Sequence, residues 1–198
     1  MDIIEGAKEF AREVFSGDSG GHDFDHTMRV YRTALRIAEA EGADVELVSL
    51  AALLHDVDDH KLSPDTCQEL GRAKKFLHSC DLPAERTQAV LEIIAKISFS
   101  GGQIPNSLEG KCVQDADRLD AMGAVGIART FAYGGSKGRR IYDPAGEDKS
   151  TSVQHFYDKL LRLEALMNTE TGRKAARDRH AYMEAFLVRF FVECDGKI

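Results

Sequence analysis

An all-α domain is the fold this sequence predicts, and three observations predict it. Only four prolines interrupt 198 residues. Hydrophobic residues recur with a helical period over long windows, and no stretch alternates Thr, Val and Tyr with polar residues as a half-buried strand would. Hydrophobic residues at 43% and charged residues at 30% suit a globular chain, and the length suits one domain.

The elements follow in order. A first amphipathic helix is expected from Ile3 to about Phe15, ended by the glycines of "SGDSGG". The second runs from Phe24 to about Ala40, with Asp23 as N-cap, one apolar stripe of Phe24, Met28, Tyr31, Leu35 and Ala38, and Gly42 as its stop. Asp44 caps a third helix, "VELVSLAALLHDV", apolar nearly all round and therefore placed at the centre of the bundle. Helices over about Pro64 to Ser79 and Pro83 to Ile97 precede a loop, "SFSGGQIPNS". A long helical segment is expected from Leu108 to about Tyr133, with small residues for tight packing. The segment from Gly134 to Ser150, rich in glycine and charge, reads as a mobile loop or lid. Two helices, about Val153 to Met167 and Thr171 to Glu193, finish the chain.

The bulk properties exclude several classes. Net charge is −7, which argues against a nucleic-acid polymer as partner, because neutralising phosphates needs a basic face. No run of about 20 apolar residues suggests a membrane span, and the start "MDIIEGAKEFAREVF" does not read as a signal peptide, so a cytoplasmic location is expected. Cys67, Cys80, Cys112 and Cys194 form no Cys-x-x-Cys pair and read as buried or idle thiols.

Chemistry is concentrated at three helical places. His26 stands near the start of the second helix, His55 and Asp56 end the third, and Asp117 lies within the long later one. Adjacent residues lie about 100° apart on a helix, so His55 and Asp56 can both face one ion only where the helix ends. Two imidazoles and two carboxylates suit an octahedral divalent ion such as manganese, magnesium, iron or cobalt better than structural zinc. Taken singly, His26 would pass for a histidine at a helix start and His55 for a hydrogen-bonded core histidine. An unpaired imidazole after the apolar "AALL" would be costly.

With "HTMRV", "AALLHD" and "DADRLDAMGAVGIARTF" around these residues, the chain resembles the HD superfamily of metal-dependent phosphohydrolases, in its small single-domain bacterial branch. The likeness extends through "HFYDKLLRL" and "MNTETGRKAARDRHAYMEAFL". It implies a single domain over residues 1–198, with a metal core at about 22–133, a glycine- and charge-rich loop at 134–150 and C-terminal helices at 153–193. It also implies one divalent metal held by His26, His55, Asp56 and Asp117, and hydrolysis of a phosphate ester or anhydride. Such an ion polarises a phosphoryl oxygen and lowers the pKa of bound water toward about 7, giving an attacking group at neutral pH.

Around the quartet, Asp59 is a candidate water-orienting base, because some nucleotide-hydrolysing relatives place a Glu-Asp pair at the positions of Asp59 and His60; Asp56 joins it as a catalytic candidate. Asp58 reads equally well as a solvated helix end. His22, Lys61, Arg118, His155 and Lys159 are candidates for substrate contacts, the last two four residues apart on one helical face. Their bland readings are a loop histidine, a complement to a helix C-terminus, and surface ion pairing. "SKGRR" from Ser136 to Arg140 and "RKAARDRH" read first as solvated surface. His78 lacks the companions for a second metal site.

The expected activity is therefore metal-dependent hydrolysis of a small phosphorylated substrate, a nucleotide above all, in the manner of a nucleoside triphosphate pyrophosphohydrolase. Manganese or magnesium leads as cofactor, with iron, cobalt and nickel behind. A nucleotide monophosphatase or alarmone hydrolase is the first alternative. A catalytically inactive nucleotide-binding regulator is the alternative of another class, and homodimerisation stays open.

Overall fold

The computed structural model describes residues 2–16, 23–59, 69–97 and 103–196. Among them there is no strand, and the all-α expectation holds. The helices are α1 (Ile3–Val14), α2 (Phe24–Glu41), α3 (Val45–Leu54), α4 (Gly71–Ser79), α5 (Ala84–Ile97), α6 (Leu108–Asp120), α7 (Gly123–Ser136), α8 (Ser152–Asp158) and α9 (Glu170–Cys194). Two short 3-10 turns, Leu160–Arg162 and Glu164–Leu166, lie between α8 and α9. The chain forms two compact units, residues 1–117 and 118–198.

In the first unit, α3 is the axis. All of Val48 to Leu54 is buried, and α1, α2 and α5 all pack against this helix. Three of its four leucines, Leu50, Leu53 and Leu54, are fully enclosed, each worth roughly 1.5–3 kcal/mol of burial. The helix starts where Asp44 accepts the amides of Glu46 and Leu47 at 3.0 and 3.1 Å. Arg86 of α5 grips the same carboxylate with Nη1 at 3.0 Å and Glu46 with Nη2 at 2.8 Å, holding Asp44 below the usual carboxylate pKa range. Glu109 of α6 accepts the Asp44 amide at 3.2 Å, so α3, α5 and α6 meet at one polar knot.

Helix α2 begins and ends as its sequence requires. Asp23 accepts the amide of His26 at 2.7 Å, and Gly42 closes the helix with φ of 75°, a left-handed conformation that costs glycine little. Cys112 is buried in α6, and burial together with the charges of Glu41 and Asp115 pushes its thiol up to about 12, which leaves it inert. Among the described residues Cys80 and Cys194 are also free thiols; Cys67 lies outside them.

In the second unit α7 packs on α8 and α9. Phe131, Phe156, Phe186 and Phe190 form its aromatic centre, with ring centroids 5.9 to 6.4 Å apart. Tyr142 adds to it, 5.2 Å from Phe191.

Four expected boundaries change. The helix expected over about Pro64 to Ser79 begins at Gly71 among the described residues, because Leu70 takes φ of 53°; residues 60–68 lie outside them. The segment from Leu108 to Tyr133 is two helices, because Gly123 takes φ of 70° and interrupts it after Asp120. The helix expected from Val153 to Met167 is α only to Asp158; Lys159, at φ −135° and ψ −60°, turns the chain into 3-10 geometry. The loop begins at Lys137 rather than Gly134, and it is internally tied. Buried Asp143 accepts the amides of Glu147 and Asp148, both at 2.9 Å, and pairs with Arg140 at 3.0 Å. An added Cβ at Gly123 would lie 3.1 Å from Arg179 Cγ, besides forcing an L-residue to positive φ. Gly123→Ala is therefore expected to cost about 1–3 kcal/mol, read as a lower midpoint in urea unfolding.

Candidate metal centre

Three segments of the first unit deliver four side chains to one point. His26 sits in the first turn of α2, where the Asp23 cap fixes the backbone. His55 stands just beyond α3, still at helical angles (φ −60°, ψ −34°), and Asp56 opens the turn that follows. Asp117 comes from α6. The helix end resolves the difficulty of adjacent ligands, since Asp56 no longer obeys the 100° step of a continuing helix.

Asp56 Oδ2 lies 3.2 Å from His55 Nε2 and 3.4 Å from His26 Nε2. Asp117 Oδ1 lies 3.5 Å from His26 Nε2 and 3.9 Å from His55 Nε2. The two rings are 5.4 Å apart at 62°, so both present an edge nitrogen to the same space. The imidazole side chains are 1% and 2% exposed, and the Asp56 and Asp117 side chains 16% and 28%. The centre has a buried nitrogen floor and carboxylates at its open lip.

Whether this set fits a metal is answered by the hydrogen bond at the other end of His55. Its Nδ1 donates to the Ala52 carbonyl at 2.8 Å, so the neutral ring carries its lone pair on Nε2. A lone pair facing two carboxylate oxygens is repulsive unless a cation lies between them. In the metal-free protein that cation is a proton. Burial pulls the His55 pKa down, but the Asp56 and Asp117 carboxylates outweigh it and raise it to about 9. A divalent ion satisfies the same nitrogens and oxygens, and the backbone acceptor on Nδ1 is the usual outer partner of a ligating histidine. His26, His55 and Asp117 offer ligand atoms that all lie within 4.8 Å of one another.

The remaining predicted residues are placed as follows. Asp59 is half-buried, its amide donating to the Asp56 carbonyl at 2.9 Å. His22, His60 and Lys61 lie outside the described residues. Arg118, His155 and Lys159 belong to the second unit. Arg118 is buried and donates from Nη1 to the Leu166 carbonyl. His155 is half-buried, and burial followed by the charges of Lys159 and Arg139 lowers its pKa against the opposing charge of Asp158. Lys159 does not continue the helical face of His155, because the helix ends before it.

Two residues escaped sequence reasoning. Gln114, one turn before Asp117, is fully buried, and its amide donates to the carbonyls of Lys96 at 3.1 Å and Gln103 at 2.8 Å, pinning α6 to the end of α5. Asp58, for which a solvated helix end was one of two equal readings, is buried at 5% exposure. The available signal for it was negative: α4 begins at Gly71 with Leu70 in its N-cap position, a residue that caps nothing.

The HD domain family model matches residues 23–122, the span that holds all four converging side chains. Protein YpgQ of Bacillus subtilis is 42% identical, over 92% of this chain and 89% of its own. The chain belongs to the HD-domain family. The HD fold extends well beyond the matched span: a crystal structure of an HD-superfamily hydrolase from Bacillus thuringiensis superimposes with a TM-score of 0.84 at 42% identity, covering 98% of this chain and 97% of that one. The crystal structure of B. subtilis YpgQ in complex with ADP gives 0.82 at 38%, covering 96% and 94%. This HD protein is thus a metal-dependent phosphohydrolase. Among its described residues no helix is long and apolar enough to cross a membrane.

Proposed function

We propose that this HD hydrolase cleaves a phosphoanhydride bond of a nucleotide, with one divalent ion, manganese or magnesium, held by His26, His55, Asp56 and Asp117. The observation that carries the reading is the meeting of two imidazole nitrogens and two carboxylate oxygens within 3.2 to 3.9 Å across the set. That mixture of borderline nitrogen and hard oxygen favours such an ion over structural zinc. When bound, the ion supplies Lewis-acid polarisation of a phosphoryl oxygen and a lowered pKa for water.

The residues of the chain do the rest. The Ala52 carbonyl holds the His55 ring in the tautomer that leaves Nε2 free to bind. Asp56 and Asp117 supply two negative charges at the open side, which concentrate a divalent cation there. Asp59, beside Asp56 in the same turn, takes the role of proton acceptor that orients the attacking water. His22 and Lys61 are assigned to the phosphates, whose charge grows as the leaving oxygen departs. The ADP found with YpgQ supports a nucleotide as the substrate class.

A panel of nucleoside mono-, di- and triphosphates followed by phosphorus NMR, with manganese or magnesium added to metal-stripped protein, tests the reading. Pyrophosphate or phosphate released from di- or triphosphates is expected. Turnover confined to monophosphates would move the activity to ester hydrolysis, and none with any nucleotide would refute the substrate class.

A further inference from the structure

We propose that Asp58 is a positioning residue of the metal centre, holding the His55–Asp56 turn in ligating geometry by capping α4, which starts thirteen residues downstream. The inference rests on the metal-centre reading above, and it concerns a residue outside the ligand set.

Both oxygens of Asp58 accept backbone amides of α4: Oδ1 takes Arg72 N–H at 3.0 Å and Oδ2 takes Ala73 N–H at 2.9 Å. These are second and third residues of the helix, the amides that an N-cap side chain ordinarily satisfies. The local N-cap residue, Leu70, has no side-chain acceptor and sits at φ 53°, ψ 45°, a left-handed conformation that leucine rarely takes. The cap is imported from the turn that carries Asp56.

That turn is short and closed. Val57 is fully buried, its amide donating to Leu54 at 3.3 Å, and Asp59 donates to the Asp56 carbonyl at 2.9 Å. On its upstream side the turn is fixed by α3 and by the His55 bond to Ala52. On its downstream side Asp58 ties it to α4. The Asp56 carboxylate, 3.2 and 3.4 Å from the two imidazole nitrogens, sits between these anchors. Removing the downstream one releases the turn from one side, and the ligand spacing loosens with it. Partners that orient metal ligands from behind typically cost about 10–100-fold in metal affinity when lost.

The test is cobalt binding to metal-stripped protein, read by calorimetry and by the visible absorption of bound cobalt. The variants are D58A, D58N, H55A and T169A. Thr169 caps α9 through the Gly172 amide at 2.9 Å, far along the chain, and serves as a control for losing a cap as such. D58A is expected to bind cobalt roughly 10–100-fold more weakly, with an altered spectrum. D58N, which keeps an oxygen for one amide, should fall between D58A and wild type. T169A should lower the unfolding temperature yet keep the wild-type cobalt Kd and spectrum. Wild-type Kd and spectrum in D58A, or an equal loss in T169A, would overturn the proposal. If D58A does not fold, D58N decides it, and wild-type affinity there overturns it. H55A separates the two levels: undiminished cobalt binding in H55A defeats the metal reading itself, whereas weak binding in H55A with normal binding in D58A defeats only the role of Asp58.

Discussion

Asp117→Ala is expected to abolish nucleotide hydrolysis and to weaken metal binding by more than the roughly 10–100-fold that loss of an outer partner causes. The reason is geometric. Asp117 Oδ1 reaches both imidazole nitrogens, at 3.5 and 3.9 Å, and comes from α6, whereas Asp56 comes from the turn after α3. Without it the ion would be held by a single carboxylate and two nitrogens that carry no charge to offset its own. Folding should survive, because the Asp117 side chain is 28% exposed while its neighbours Ala116 and Leu119 are fully buried and carry the packing of that stretch. Asp117→Asn, which keeps shape and removes charge, should behave nearly as badly. Steady-state rates with saturating manganese, beside circular dichroism, check this. An Asp117→Ala protein with wild-type rate would show that the carboxylate is not a ligand.

The second large effect concerns the proton on His55. Its pKa in the folded, metal-free protein is raised from 6.5 to about 9, with Asp56 and Asp117 overcoming the opposing effect of burial. The folded state therefore binds this proton more tightly than the unfolded chain does. The resulting stabilisation is fully present below about pH 6.5 and is lost as pH rises through about 9. At about 1.36 kcal/mol per unit, the shift corresponds to on the order of 3 kcal/mol. Metal-free protein should accordingly lose thermal stability between pH 6.5 and 9, and His55→Gln should flatten that dependence. Metal must displace the same proton. Binding at pH 7 should release about one proton, and the apparent affinity should rise about tenfold per pH unit toward pH 9. Calorimetry in buffers of different ionisation enthalpy measures the proton count directly, and a value of zero would contradict the assignment of His55.

Much of this was legible in the chain, and the reasons for success and failure are physical. The burial of α3 follows from an apolar run with no polar face, and the caps Asp23 and Asp44 follow from side chains that bond amides two or three residues ahead. The convergence of His26, His55, Asp56 and Asp117 was expected from the HD resemblance together with His and Asp at three helical places, since His26 and His55 taken singly also fit a bland reading. Local signals failed where the structure answers to distant ones. Asp58 caps a helix through the amide of Arg72, fourteen residues away, a bond with no local pattern, and so a solvated end remained as good a reading of it as any. The break at Gly123 was hidden because a glycine among alanines reads as tight packing until its φ of 70° is seen. Likewise Lys159 sits at helical spacing from His155 yet leaves the helix, and spacing alone could not reveal that.

The central claim is that His26 and His55 bind one ion together with Asp56 and Asp117. Pulsed electron paramagnetic resonance of the manganese-loaded protein tests it most directly, because nitrogen ligated to manganese leaves a hyperfine coupling of its own. Two histidine nitrogens per ion are predicted in the wild type, and one each in His26→Gln and His55→Gln. A manganese signal with no nitrogen coupling, or one unchanged in both variants, would contradict the account.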